Sequence, residues 1–108
     1  MAQFDVHRNP GRSRAAVPYV VVIQSAWFDA TPSRLVAPLL LASAVGDLRP
    51  PPHMPRFEIE GRGVVLDALQ CQPIPRHLLG TPIASLADDD SAVRIIAAID
   101  DVISRSHG

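Results

Sequence analysis

Four histidines, one cysteine and a run of three aspartates are the residues of this chain whose types could carry catalysis or hold a metal. His7, His53, His77 and His107 are scattered, without the HExxH or His-x-His spacing that brings two imidazoles to one ion. Cys71 stands alone, so it can build neither an internal disulfide nor a CxxC redox pair nor a zinc cluster. It reads as a half-buried strand thiol, since free cysteine behaves as a small apolar side chain. No serine or cysteine lies in a nucleophile motif. Asp88, Asp89 and Asp90 resemble a metal-binding run but directly precede an apolar periodic segment, which makes them a helix start. Arg14, Arg76 and His77 are the types that RNA cleavage requires, a general acid/base and a cation beside the scissile phosphate. Their spacing is nonspecific, and catalytic residues, metal and cofactor are all expected to be absent.

Binding is better represented than catalysis. Residues 20–41, VVVIQSAWFDATPSRLVAPLLL, run from an apolar strand through a short polar loop into a second apolar strand. Gln24-Ser25 ends the first strand, and Trp27-Phe28 sets two aromatics side by side at the corner. Neighbours in an extended segment point to opposite faces, so at least one ring is expected to be exposed. Burying such a ring against a partner removes about 150–250 Å² from water, roughly 4–6 kcal/mol gross at about 25 cal/mol per Å².

The elements that must position this corner follow from periodicity. Phe4 and Val6 alternate with Gln3, Asp5 and His7, as in a half-buried strand. Residues 18–24 are apolar on both faces, which predicts a central strand covered by core on one side and by a partner or helix on the other. Pro38 cannot donate to a ladder, so its strand is expected at an edge or at a bulge. The prolines at 50–52 and 55 force an extended, solvated loop. Residues 57–60 and 64–69 flank Gly61-Arg62-Gly63 and predict a tight hairpin. A short segment near residues 73–78, with proline on both sides of Ile74, reads as another edge. From Asp88 the period changes to that of a helix over about residues 89–104. Its apolar stripe is Val93, Ile96, Ala97 and Ile103, widened by Ile95, Ile99 and Val102, and Arg105 and His107 lie at its cation-favouring end. The expected fold is mainly β, an antiparallel barrel of about five strands with a C-terminal helix, in one domain over residues 1–108.

Composition agrees. At 108 residues with 47% hydrophobic and 19% charged side chains and a mean hydropathy of +0.15, the chain is more apolar than a small monomer requires, which argues for a homodimer interface. All ten cations are arginine and the net charge is −1. That balance argues against a protein that grips nucleic-acid backbone and favours a protein partner. No signal peptide and no apolar run long enough to span a bilayer is present in the sequence, so a cytoplasmic protein without membrane contact is expected.

Laid end to end, these pieces resemble the CcdB toxins of bacterial toxin–antitoxin systems, which poison DNA gyrase. The Gln3-Phe4-x-Val6 strand leads through the basic loop with Arg8, Arg12 and Arg14 into Val17-Pro18-Tyr19-Val20, and Gln24-Ser25, Asp29 and Arg34-x-Val36-x-Pro38-Leu39 come next at the family's spacing without gaps. Gln72-Pro73-Ile74-Pro75, Leu79-Gly80, Ala84-x-Leu86 and the Ile95-Ile96-Ala97-Ala98-Ile99-Asp100 helix fall in the family's order. The resemblance implies a small SH3-like barrel, a homodimer, and binding to the gyrase A subunit that traps the cleaved-DNA complex, with no cofactor and no enzymatic step.

It also assigns residues. Trp27, Phe28, Asp100 and the helix end, Ile103, Ser104, Arg105 and Ser106, would face gyrase. Arg8, Arg12 and Arg14 would bind the acidic tail of a cognate antitoxin, a segment disordered when free. Family members characteristically end in a small apolar Gly-Ile tail that enters the dimer cavity of gyrase A, whereas this chain ends Ile103-Ser104-Arg105-Ser106-His107-Gly108. Loss of such an anchor costs at least about 2 kcal/mol, roughly 30-fold in affinity. Two alternatives therefore accompany the gyrase reading: an endoribonuclease toxin on the same barrel, and a non-poisoning CcdB-like binding protein.

Overall fold

The computed structural model describes residues 2–46 and 53–103. In chain order the elements are β1 (Asp5–Arg8), β2 (Tyr19–Val22), β3 (Ser33–Leu41), a single helical turn α1 (Ala42–Val45), β4 (Arg56–Ile59), β5 (Arg62–Leu66), β6 (Gln72–Pro75), β7 (Ala84–Ser85) and α2 (Asp89–Ile103). The strands pair antiparallel in the order β4-β5-β3-β2-β1-β7, with β6 also on β3. The sheet curls into a nearly closed barrel of seven strands rather than about five. The difference lies in short segments, such as the two residues of β7, which are too brief to show a period. The proline run at residues 50–52, and Arg105 and His107, lie outside the described residues.

Hydrophobic burial divides into two clusters on opposite faces of the sheet. Tyr19, Val21, Ala37, Leu39, Val64 and Leu66 pack with Ile95 and Ala98 of α2. Val20 and Val22 pack instead with Val36, Ile74 and Leu79. So β2 is central and buried on both faces, as its composition predicts, but the second face is covered by β6 and the turn after it, not by a partner or helix. That second cluster corrects the reading of β1: His7 is fully buried, and its Nδ1 lies 2.8 Å from the Gly80 carbonyl. The strand also starts two residues late, at Asp5, because Phe4 has φ +69° and turns its buried ring inward from a tight N-terminal bend.

Proline placement follows the hydrogen-bond ladder. Pro38 is not at an edge: β3 is the strand from which β2, β5 and β6 all pair. Opposite β2, β5 covers residues 39–41 and β6 covers residues 33–36, and Pro38 sits at the seam, its carbonyl taking the Asp67 N–H at 3.1 Å. Lacking an N–H, Pro38 returns no bond to Asp67, and the β5 ladder stops at Leu39. Pro73 and Pro75 sit at the alternate positions of β6 that face away from β3, since Arg76 N–H bonds Pro32 O one residue on. The outer edge of β6 therefore offers no N–H at either proline, which blocks edge-to-edge pairing.

The β4–β5 hairpin turns on two residues, Glu60 (φ +53°) and Gly61 (φ +76°), with Ile59 opposite Arg62. Two positive φ angles define a type I′ turn, one residue earlier than the Gly61-Arg62-Gly63 string suggests. Glutamate at the first position is strained and is held from three sides: Tyr19 Oη donates to Glu60 Oε1 at 2.8 Å, and Arg8 spans both carboxylate oxygens at 3.3 and 3.1 Å. The Tyr19 bond, reinforced by Arg8, holds the Glu60 carboxyl below its ordinary range. At the start of α2, Asp88 caps the helix by accepting from Ser91 N at 3.0 Å, and that bond lowers its carboxyl as well. Both groups bind protons more weakly folded than unfolded. Their stabilisation is complete above the ordinary carboxylate range and disappears as pH falls through the lowered folded values. The melting temperature should decline over that acidic window, and Glu60→Gln should flatten the decline, measured by thermal unfolding from pH 7 downward.

The face that α2 turns inward is not the expected one. Ser91, Ile95 and Ala98 are buried, with Ala92 and Ile99 packed beside them, whereas Val93, Ile96 and Ile103 are exposed. Arg94 fastens the helix to the sheet, its guanidinium 4.5 Å from the Phe57 ring centroid and bonded to the Arg56 carbonyl on the outer side of β4. Among the described residues no helix is long and apolar enough to cross a membrane.

Candidate protein-binding corner

Residues 23–32 connect β2 to β3. The segment carrying Trp27 and Phe28 is one 3₁₀ turn, Ala26–Phe28, rather than an extended stretch. Ser25 Oγ accepts from Trp27 N at 3.3 Å, and Phe28 N closes on Ser25 O at 3.0 Å. A turn does not alternate its side chains across two faces, so both rings come out: Trp27 is 92% exposed and Phe28 57%.

The rest of the corner is densely cross-bonded. Gln24 Nε2 donates to Phe28 O (2.8 Å) and Thr31 Oγ1 (3.0 Å), while its Oε1 takes the Leu35 N–H (3.1 Å). Arg34 is completely buried, and its Nη1 bonds Thr31 O at 2.9 Å and Ser33 O at 3.2 Å. Its Nη2 bonds Asp29 O, and Arg76 Nη1 reaches the same carbonyl at 3.3 Å. Sequence reasoning passed over Arg34. The available signal was its phase, since in β3 it alternates with Leu35 and shares the face of buried Val36.

Between this corner and α2 lies a hollow of about 560 Å³, with an almost wholly apolar lining that includes Ile23, Phe28, Pro32, Leu35 and Ile99. Ile96 and Ile103 stand exposed on the flank of the helix that carries half-buried Ile99, so apolar surface continues beyond the hollow. Asp100 is exposed in the last turn, where the helix dipole disfavours an acid. Ser104, Arg105 and Ser106 lie outside the described residues. The other residues expected to face a target, Trp27, Phe28, Asp100 and Ile103, belong to the corner and the α2 end, and Phe28 and Ile99 line one hollow.

The three arginines expected to bind an acidic tail are not equivalent. Arg8 ends β1 and is paired with Glu60 at 3.1 Å. Arg12 and Arg14 stand in the exposed loop after it, which Asn9 closes by bonding Gly11 N and Val17 O at 2.8 Å each. Of the residues with ribonuclease-like chemistry, Arg14 gives its Nε–H to Gly11 O and Arg76 is engaged at Asp29. Burial and nearby Asp67 push the Cys71 thiol up, away from a reactive thiolate. Among the described residues no three histidine, cysteine or acidic side chains cluster as a metal site would require.

A curled antiparallel sheet thus displays two aromatics on a braced corner beside an apolar helix flank. The family model for the CcdB protein matches residues 3–104, and the chain belongs to the CcdB family, the toxins of bacterial toxin–antitoxin systems. The fold is similar to that of a solved mycobacterial endoribonuclease in complex with its cognate antitoxin, with a TM-score of 0.76 and 11% identity, covering 96% of this chain and 95% of that one. No curated protein matches the chain in sequence.

Proposed function

We propose that this toxin acts by binding, as a homodimer, to the gyrase A subunit and trapping the cleaved-DNA complex. The observation that carries the reading is the display of Trp27 and Phe28 on a braced corner, where Phe28 shares an apolar hollow with Ile99 of α2. A rigid aromatic anchor on a preorganised loop gives up little conformational entropy on binding. Asp100 adds an exposed acid on the same end of α2. The exposed α2 residues away from that corner, Val93 and Ile96, supply apolar surface for a second copy. A cognate antitoxin with a disordered acidic tail is the expected regulator, meeting Arg12 and Arg14 in the loop after β1, with Arg8 available only by giving up Glu60.

The test is supercoiling and DNA cleavage by the host's gyrase with purified protein added, alongside an RNA cleavage assay on the same preparation. Inhibition with trapped, cleaved DNA is expected. RNA cleavage would instead support an endoribonuclease, the activity named for the mycobacterial neighbour. No effect in either assay would leave a CcdB-family barrel whose altered C-terminus has lost its target.

A further inference from the structure

We propose that Arg34 is the positioning residue of the binding corner: its buried guanidinium, clamped on the carbonyls of Asp29, Thr31 and Ser33, sets the loop conformation in which Trp27 and Phe28 are displayed. The inference rests on the reading of that corner as the target contact.

Arg34 has no exposed surface, yet its bonds run to backbone carbonyls and the Thr31 hydroxyl rather than to a carboxylate, and its Nε–H has no partner. A charge buried with incomplete compensation costs stability, and an apolar side chain of similar volume there is often neutral or better. Barrel stability therefore does not account for it. Its acceptors do. All belong to residues 29–33, the return path of the loop, and those residues are themselves exposed or half-buried. Without the guanidinium the carbonyls can turn to water, so the loop moves while the barrel stays.

The geometry also explains the residue type. Nη1 serves Thr31 and Ser33 while Nη2 serves Asp29. A planar fork can hold acceptors on both of its arms, whereas a lysine ammonium is a single point. Gln24 completes the brace by tying Phe28 O to Thr31 Oγ1, and Thr31 Oγ1 lies 2.8 Å from Phe28 O. Through Thr31 the clamp thus reaches the aromatic turn itself.

Trp27 is the only tryptophan of the chain, so its fluorescence reports on the corner without a label. Wild type, Arg34→Met and Arg34→Lys are compared by Trp27 time-resolved anisotropy and by amide exchange over residues 25–35, with β2 and β5 amides as the measure of the barrel. Expected in both variants are a protected barrel, a larger fast component in the anisotropy, and loop exchange raised about tenfold or more, the scale of losing one or two charge-assisted bonds. Unchanged loop exchange in a folded Arg34→Met would overturn the proposal. Wild-type loop protection in Arg34→Lys would overturn the fork, leaving charge alone as the requirement. If only Arg34→Lys folds, it decides; unfolding of both overturns the proposal, because Arg34 would then hold the barrel.

Binding to gyrase A separates this inference from the reading beneath it. Arg34→Met should bind about tenfold more weakly through a smaller competent fraction, with Trp27→Ala as control. If Trp27→Ala weakens binding and Arg34→Met does not, positioning by Arg34 fails. If neither weakens it, the corner is not the gyrase contact, while the exchange data still decide what Arg34 does to the loop.

Discussion

Trp27→Ala is expected to weaken association with gyrase A by about 30-fold or more, the roughly 2 kcal/mol that defines a binding hot spot, while leaving the melting temperature of the toxin where it was. The two halves of that expectation have one origin. Trp27 is 92% exposed, so the folded monomer gains little from its ring, and surface substitutions of that kind stay within about ±0.5 kcal/mol of wild type. In a complex the same ring would lose about 150–250 Å² of accessible surface. The gross gain, roughly 4–6 kcal/mol at about 25 cal/mol per Å², comfortably exceeds the net loss assigned to the mutation. Phe28→Ala should differ in kind. Phe28 is 57% exposed and lines the hollow that also takes Ile99, so its removal enlarges that hollow as well as deleting contact area. Calorimetric titration of each variant against gyrase A measures the first quantity and thermal unfolding the second. Unaltered affinity in both variants would place the contact elsewhere on the barrel.

Much of what positions this corner was legible in the residue string, and what was not had definite physical causes. The hairpin at residues 56–66 and the helix after Asp88 announce themselves because a turn and a cap each need particular side chains. The edge character of Pro73-Ile74-Pro75 was legible for the same reason, proline having no N–H to give. The identical argument misplaced Pro38. A central strand tolerates proline where one neighbour ends and the next has not begun, and that seam is a property of three strands at once. His7 and Arg34 were hidden by burial of polar side chains, which periodicity assigns to solvent. Each is inside because a second hydrophobic cluster, Val20, Val22, Val36, Ile74 and Leu79, covers the face away from α2. Both aromatics of the corner are exposed because the loop makes a 3₁₀ turn, whereas alternation along an extended chain guarantees exposure of only one.

The helix is the most instructive case, since apolar residues occupy more of its circumference than a core needs. Val93, Ile96, Ala97 and Ile103 make as good a stripe on paper as the face that packs, and only the sheet decides between them. Ile95→Ala is therefore expected to cost about 2–5 kcal/mol, because Ile95 has no exposed surface and sits among the Tyr19, Leu39 and Leu66 cluster. Against the roughly 5–15 kcal/mol that holds a domain of this kind together, that loss leaves a visibly unstable toxin. Val93→Ala, at 66% exposure, should fall within about ±0.5 kcal/mol of wild type. Denaturant unfolding of the two variants, read at matched slopes, makes the comparison, and equal losses would mean that α2 is rotated on the sheet. Ile96→Ala extends the test to function. At 48% exposure on the flank that runs into the hollow, Ile96 should leave monomer stability nearly unchanged and weaken self-association. A stability loss as large as that of Ile95→Ala, with dimerisation intact, would return this flank to the core and remove it from the binding surface.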